Sequence, residues 1–107
     1  MSIELALGEL QADVMERGPG YLITSTAGSR PHVMHLRFDI DDVELRAPIG
    51  QSAAANIAAE AAVTLVWPPN NANSYSLIVD GDAKVEEGPD GAVAVVTATH
   101  AVFHRPA

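Results

Sequence analysis

Residues 32–40, HVMHLRFDI, are the most regular part of the sequence, because their apolar residues recur at every second position. A side-chain period of two is typical of a β-strand with one buried face and one more polar face. The Asp-Asp pair at 41–42 predicts a tight turn, and residues 43–47 predict a second strand that pairs back as a hairpin. The alternation predicts one face with His32, Met34, Leu36, Phe38 and Ile40, and an opposite face with Val33, His35, Arg37 and Asp39.

The segments on either side of this hairpin predict further strands and two helices. Apolar residues at three- and four-residue spacings predict a helix over 2–16, and an alanine-rich stretch predicts another over 51–62, capped by Ser52. Segments rich in β-branched residues predict strands at 21–26, 61–67, 75–87 and 92–103. The alanines of the last segment also allow a C-terminal helix over 92–104.

The predicted order is α-β-β-β-α-β-β-β, in which six mostly antiparallel strands favour a small barrel over a doubly wound sheet. A length of 107 residues leaves room for one domain, in which helix 2–16 precedes a barrel over 20–104.

Composition and charge narrow the classes of partner and the cellular setting. Six Lys and Arg against 14 Asp and Glu give a net charge of -8, which argues against nucleic acid and anionic membranes as partners. The absence of cysteine excludes disulfides, Cys-based zinc sites and thiol chemistry. The first residues carry acids where a signal peptide needs positive charge, and the apolar runs are too short for a membrane span. We therefore expect a cytoplasmic protein.

Two arginines give the best indication in the sequence of an anionic ligand. Arg37 and Arg46 lie on neighbouring predicted strands, where each must be exposed, paired with an acid such as Glu44, or bound to an anion. The sequence contains no nucleophile elbow, phosphate-binding loop or dinucleotide fingerprint, so any enzymatic chemistry is expected to belong to a bound cofactor. His100 and His104 have a spacing that suits a metal only on a helix, and we predict no metal site.

The order of features from Tyr21 to Glu87 resembles the FMN-binding split barrel of the pyridoxamine 5′-phosphate oxidase-like family. A strand (YLITST) leads into a turn that ends Gly-Ser-Arg-Pro at 28–31, and a longer strand (HVMHLRF) follows. A short strand (VELRA), a helix that ends Ala-Asn-Ile at 55–57, and the strand AAVTLVW come next. Residues 79–86, Val-Asp-Gly-Asp-Ala-Lys-Val-Glu, are similar to the family's v-x-G-x-A-x-v pattern.

This resemblance implies a mainly β, six-stranded antiparallel split barrel with two helices, which forms a homodimer and holds FMN in the cleft between subunits. It implies a flavin-dependent oxidoreductase that transfers hydride through the cofactor to or from an unknown substrate. The cofactor would contact the second and third strands and the start of the second helix. Carried over onto this sequence, these contacts are His32, Val33, Met34, His35, Leu36, Arg37, Arg46, Ala47, Gln51 and Ser52.

Three alternatives stay open. The oxidases carry an Arg-Lys pair at the helix start, where this chain has Ser52 and Ala53. A non-catalytic dimeric barrel that binds a flavin or another small anion weakly is therefore one alternative. An F420-dependent reductase is the second, although the acidic tail of F420 suits a basic groove better than a net charge of -8. The third is a haem-handling relative that uses His32, His35 or His100 as an iron ligand.

Overall fold

Strand-to-strand hydrogen bonds join eight strands into one antiparallel sheet in the computed structural model, which describes residues 2–71 and 74–105. The strands are β1 (Ser2–Glu4), β2 (Gly20–Thr24), β3 (His32–Leu36), β4 (Asp39–Asp41), β5 (Glu44–Pro48), β6 (Ala62–Trp67), β7 (Ser76–Gly88) and β8 (Gly91–His104). The helices are α1 (Leu10–Arg17), preceded by a 3-10 turn at Leu7–Glu9, and α2 (Gln51–Ala59). Neither of these helices is long and apolar enough to cross a membrane.

The order of the strands explains how the sheet curls. It runs β3-β2-β6-β7-β8-β5-β4, with β1 beside the C-terminal end of β8. β3 and β4 stand at opposite ends of this order, yet only Arg37 and Phe38 separate them in the chain. The chain itself therefore joins the two ends of the sheet, which gives a curled, barrel-like antiparallel architecture.

The predicted alternation of residues 32–40 is confirmed, but the segment forms two strands. Residues 32, 34, 36, 38 and 40 are partly or fully buried, and the residues between them are exposed. Strand pairing passes from β2 to β5 at Arg37 and Phe38, which divides the segment into β3 and β4. This division and the additional β1 give eight strands where six were predicted. The last segment forms β8 and not the alternative helix, because it pairs with β7 along its whole length.

The prediction of a helix over residues 2–16 was wrong at its N-terminal end. Ser2–Glu4 pairs with residues 102–104 as β1, and the N–H of Leu5 donates to the carbonyl of Ala101 at 2.8 Å. The alternation of Ile3 and Leu5 suits a strand as well as a helix. The exposed edge of β8 supplies backbone partners, whereas a short helical turn is costly to nucleate.

The core is built mainly from Leu, Val and Ala, as an aromatic content of 5% requires. α1 covers one part of it with Leu10 and Val14, and α2 contributes Ile57. Burial of each large apolar side chain stabilises the fold by about 1.5–3 kcal/mol. The largest fully buried apolar side chains are those of Trp67, Leu10, Leu22, Leu45, Leu65, Leu77, Val79 and Val96.

Candidate functional site

The outer face of β3 and of the residue after it is open to solvent. The side chains of Val33, His35 and Arg37 are exposed on this face, and Val33 has 55% of its surface accessible. The other three predicted contacts of this segment, at positions 32, 34 and 36, belong to the inner face and are partly buried. A ligand on the outer surface therefore meets three of the predicted side chains and only the backbone of the other three.

One of these exposed residues, His35, belongs to an aromatic pair. Tyr21 of β2 is the cross-strand partner of His35, and their rings stack with centroids 4.6 Å apart and an interplanar angle of 21°. Ile23 and Val33 form a cross-strand pair further along the same two strands. The two pairs make a partly exposed surface that suits a planar aromatic ring. Tyr21 was not among the predicted contacts, and the only sign of it in the sequence is an aromatic residue at the start of the preceding strand.

A cleft of about 380 Å³ opens on the neighbouring strands. Asp80 is its most connected side chain: Thr64 Oγ1 donates to Asp80 Oδ1 at 3.1 Å, and His100 Nδ1 lies 3.7 Å from Asp80 Oδ2. The lining contains two carboxylates and no Lys or Arg, so the cleft favours polar or cationic groups over a phosphate. The residues that line it are Ile23, Ser25, Ala62, Val63, Thr64, Asp80, Gly81, Asp82 and Thr99.

The structure places Arg37 and Arg46 on the same face of the sheet but in different environments. Asp39 is the cross-strand partner of Arg46, and Arg37 lies two residues before Asp39. Arg46 pairs with Glu44 at 3.0 Å and with Glu86 at 3.1 Å. The side chain of Arg37 is exposed and makes no hydrogen bond or ion pair with residues 2–71 or 74–105, so Glu44 is the partner of Arg46 and not of Arg37.

This ion-pair cluster shifts two titrating groups in opposite directions. A hydrogen bond and the positive charge of Arg46 lower the pKa of the Glu86 carboxyl, with a smaller contribution from Lys84. The hydrogen bonds that Arg46 donates to Glu86 and Glu44 raise the pKa of its guanidinium. Arg46 is therefore already paired with two carboxylates.

Replacing Arg46 with Met should raise the pKa of Glu86 toward its ordinary value, because the largest cause of the lowered pKa is lost. Lys84→Met removes the same charge from a contact of 3.4 Å and should raise this pKa less. A ¹³C NMR titration of the Glu86 carboxylate measures both shifts. The ion pair with Arg46 lowers the folded-state pKa of Glu86. The stability that this ion pair contributes is therefore fully present above the unfolded-state pKa of Glu86, and it is lost as the pH falls through the folded-state pKa. Equal shifts in the two variants would contradict the assignment.

The start of α2 follows β5 closely, and Gln51 and Ser52 are exposed there. The predicted cap at Ser52 was wrong, because Gly50 is the N-cap residue and its carbonyl accepts the N–H of Ala54 at 3.1 Å. No side chain caps the first turn of α2. The predicted contact Ala47 is 2% exposed and belongs to the core, so a ligand on the outer surface could reach only its backbone.

A polar network that was not predicted from the sequence connects α2 to the end of β2. Asn56 Nδ2 donates to the hydroxyl of Thr24 at 3.0 Å, and Thr26 Oγ1 donates to Asn56 Oδ1 at 3.2 Å. His32 is the cross-strand partner of Thr24, and its Nδ1 is buried with no hydrogen-bond partner in the described ranges. This network holds the helix against the strands that carry the candidate site.

Comparisons of sequence match about half of the chain. No model of a known protein family matches the sequence. Uncharacterized proteins of Mycobacterium bovis and Mycobacterium tuberculosis are each 44% identical to it over 62 residues. That match covers 55% of this chain and 44% of each relative, so less than half the length of these relatives is spanned.

Solved structures match over most of the chain. A candidate pyridoxamine 5′-phosphate oxidase of Listeria innocua superposes with a TM-score of 0.76 at 16% identity, covering 91% of this chain and 96% of its own. An FAD-binding protein of Mesorhizobium loti gives 0.73 at 14% identity, with 98% and 99% covered. An FAD-binding protein of Mycobacterium smegmatis gives 0.71 at 14% identity, with 98% and 100% covered.

The chain therefore has the split-barrel fold of pyridoxamine 5′-phosphate oxidase-like and flavin-binding proteins. The resemblance stated from the sequence is confirmed for the fold.

Proposed function

We propose that this chain is a flavin-dependent oxidoreductase of the pyridoxamine 5′-phosphate oxidase-like family that binds FMN on the outer face of β3. The observation that carries the proposal is the exposed Arg37, which has no ion-pair partner in the described ranges and lies on the same face as the Tyr21–His35 stack. The names of the FAD-binding structural neighbours support a flavin as the ligand class.

The residues present fit the two parts of FMN. The isoalloxazine ring is planar and aromatic, and one of its faces would lie against Val33 and the Tyr21–His35 stack. The phosphate is a dianion that favours charge-assisted donors, and the Arg37 guanidinium supplies them without a competing carboxylate. Arg37 lies about 7 Å along the strand from His35, so ring and phosphate contacts can belong to one ligand.

The first turn of α2 offers further donors for the phosphate. Backbone N–H groups at a helix N-terminus attract anions, and the exposed hydroxyl of Ser52 lies in the same turn. This arrangement would compensate for the Arg-Lys pair that the oxidases carry here. Arg46 offers little to the phosphate, because Glu44 and Glu86 already occupy its donors and offset its charge.

Bound FMN would supply the hydride chemistry, because the chain itself holds no catalytic nucleophile pattern. The protein would orient the ring on the aromatic surface, anchor the phosphate and exclude water. Exclusion of water requires a cover, since Val33 and its neighbours are open to solvent. We infer that a second copy of the chain provides this cover in a homodimer, with the partly exposed Ile23 and Val66 in the contact.

Titrating the purified protein with FMN tests the proposal through quenching of flavin fluorescence. Arg37→Ala should weaken binding roughly tenfold to a hundredfold, because it removes hydrogen bonds to a charged group. Arg30→Ala is the matched control: it removes the same charge from an exposed turn and should change the affinity little. Absence of quenching at any FMN concentration would contradict the proposal and lead to an F420 titration next.

Sedimentation of the same samples tests the inferred cover. We expect a species of twice the chain mass at low micromolar concentration. A single species of 11.2 kDa would contradict the homodimer. The flavin ring would then lie on an open surface in contact with water, and the protein could not exclude water from it as proposed.

A further inference from the structure

A second groove, on another part of the chain from the proposed flavin surface, lies between the N-terminal segment, α1 and the end of β8. Its volume is about 470 Å³. Leu5 and Phe103 form an apolar floor, and Ile3, the cross-strand partner of Phe103, is 45% exposed beside it. The lining residues are Leu5, Gly8, Glu9, Ala12, Asp13, Glu16 and Phe103.

One wall of the groove is made of small residues. A Cβ atom built on Gly8 would meet nothing within 4 Å, and Ala12 is exposed. With a rise of about 1.5 Å per residue, the helical stretch from Gly8 to Glu16 is about 12 Å long. A bound helical segment of about two turns has the same length. The wall is thus low enough to admit a large apolar side chain above the Leu5–Phe103 floor.

The rim of the groove is acidic, and most of its charge is uncompensated. Asp13 is neutralised by Arg17, whose Nε lies 2.6 Å from Asp13 Oδ2 and whose side chain is only 8% exposed. Arg17 also donates to the carbonyl of Tyr75 at 2.7 Å, so its charge is directed into the protein. Glu9 and Glu16 are exposed and have no ion pair with any residue that the structure describes.

We propose that this groove binds a basic amphipathic segment of a partner protein. An apolar side chain of that segment would occupy the Leu5–Phe103 floor. Its Lys or Arg side chains would pair with Glu9 and Glu16, which lie two helical turns apart on the rim. An acidic rim repels nucleic acid and anionic membranes, which leaves a basic protein segment as the complementary occupant.

A second copy of the chain fits this groove poorly. Its six basic residues are at positions 17, 30, 37, 46, 84 and 105, so neighbouring ones are at least seven positions apart. Among these, Arg17, Arg46 and Lys84 already pair with acids of their own chain. The chain therefore offers no basic amphipathic segment of its own to a copy of itself.

The test titrates the ¹⁵N-labelled full chain with a short synthetic helical peptide of leucine and lysine, followed by chemical shifts and by a dissociation constant. We expect the largest shifts at Gly8, Ala12 and Phe103. The double variant Glu9→Gln, Glu16→Gln should weaken binding roughly twofold to thirtyfold, since two exposed ion pairs are lost. Glu9 makes no side-chain cap bond to α1, so its replacement should leave the helix intact.

The matched control is the double variant Glu87→Gln, Asp90→Asn, which makes the same change in net charge at the opposite end of β8. This control should retain the affinity of the unchanged protein. An equal loss in both double variants would overturn the proposal, because attraction would then come from the net charge of the whole chain. Shifts confined to other surfaces, or no binding, would overturn it as well.

Ala12→Arg tests the groove as a whole while leaving Glu9 and Glu16 in place. The position is exposed on α1 and arginine is a good helix former, so the variant should fold. A long cationic side chain in the groove should weaken peptide binding at least roughly tenfold by occupying the floor and masking the rim. A change in sedimentation of Ala12→Arg relative to the unchanged chain would assign the groove to a contact between copies and overturn the proposal.

Discussion

Replacing Trp67 with Ala should lower the free energy of unfolding by about 3–5 kcal/mol, the range for truncation of a large buried aromatic side chain. Trp67 is 1% exposed and its ring lies 5.5 Å from that of Phe38. Its indole Nε1–H donates to the carbonyl of Gly18 at 2.9 Å. The side chain therefore joins the end of α1 to β6 through both packing and a hydrogen bond.

The backbone around Trp67 is fitted to its ring. A Cβ atom on Gly20 would lie 2.6 Å from the indole, so glycine is required at the start of β2 for the ring to approach. Gly18 has a φ of 82°, a left-handed conformation that favours glycine, and it ends α1 at the position where its carbonyl accepts the indole N–H. Truncation of the ring leaves a cavity that these fixed elements cannot close.

Urea unfolding followed by far-UV circular dichroism measures the loss, because the chain has one tryptophan and its fluorescence signal is lost in the variant. Trp67→Phe keeps a ring but leaves the Gly18 carbonyl without its donor, so it should lie between the unchanged protein and Trp67→Ala. Met15→Ala, at a side chain that is 68% exposed, is the control and should change stability by less than about 0.5 kcal/mol. A Trp67→Ala variant as stable as this control would contradict the packing account.

Much of the fold could be predicted because local patterns and tertiary pairing agree. The alternation in residues 32–40 predicted which side chains are buried, and that assignment holds across the interruption at Arg37 and Phe38. The interruption itself could not be predicted, because it depends on which neighbour the strand pairs with at each end. The N-terminal strand was missed for the same reason, since its partner lies about a hundred residues away in β8.

Less of the candidate site could be predicted, because it depends on register. The sequence indicated Arg37 and Arg46 as candidate contacts for an anionic ligand. Only the strand pairing shows that Glu44 and Glu86 form ion pairs with Arg46. The stack of Tyr21 on His35 likewise depends on the β2–β3 register. The resemblance to flavin-binding barrels predicted ten contact residues but not which face of the sheet each side chain occupies. In the structure, some of these side chains lie in the core and others on the outer surface.

Gly81→Ala should destabilise the protein by about 1–3 kcal/mol, the cost of forcing extra volume into a packed site. A Cβ atom there would lie 2.7 Å from the carbonyl oxygen of Thr97 and 2.8 Å from Cγ1 of Val96. The β7–β8 register shifts between Asp80 and Gly81, so this glycine lies at the irregularity in the pairing of the two longest strands. Because the nearest atom belongs to the backbone of β8, it cannot move aside without separating the strands.

The sign of this effect is informative, because Gly→Ala usually stabilises a protein by about 0.4–1 kcal/mol through the unfolded chain where the backbone permits it. Gly8→Ala is the matched control: its Cβ would meet nothing within 4 Å, so it should be neutral or stabilising. Gly81 also lines the cleft beside Asp80, so strand separation should also disturb the Thr64–Asp80 hydrogen bond and shift the amide resonances of both residues. If Gly81→Ala instead unfolds at the same urea concentration as Gly8→Ala, the close approach of β7 to β8 is not what requires glycine there.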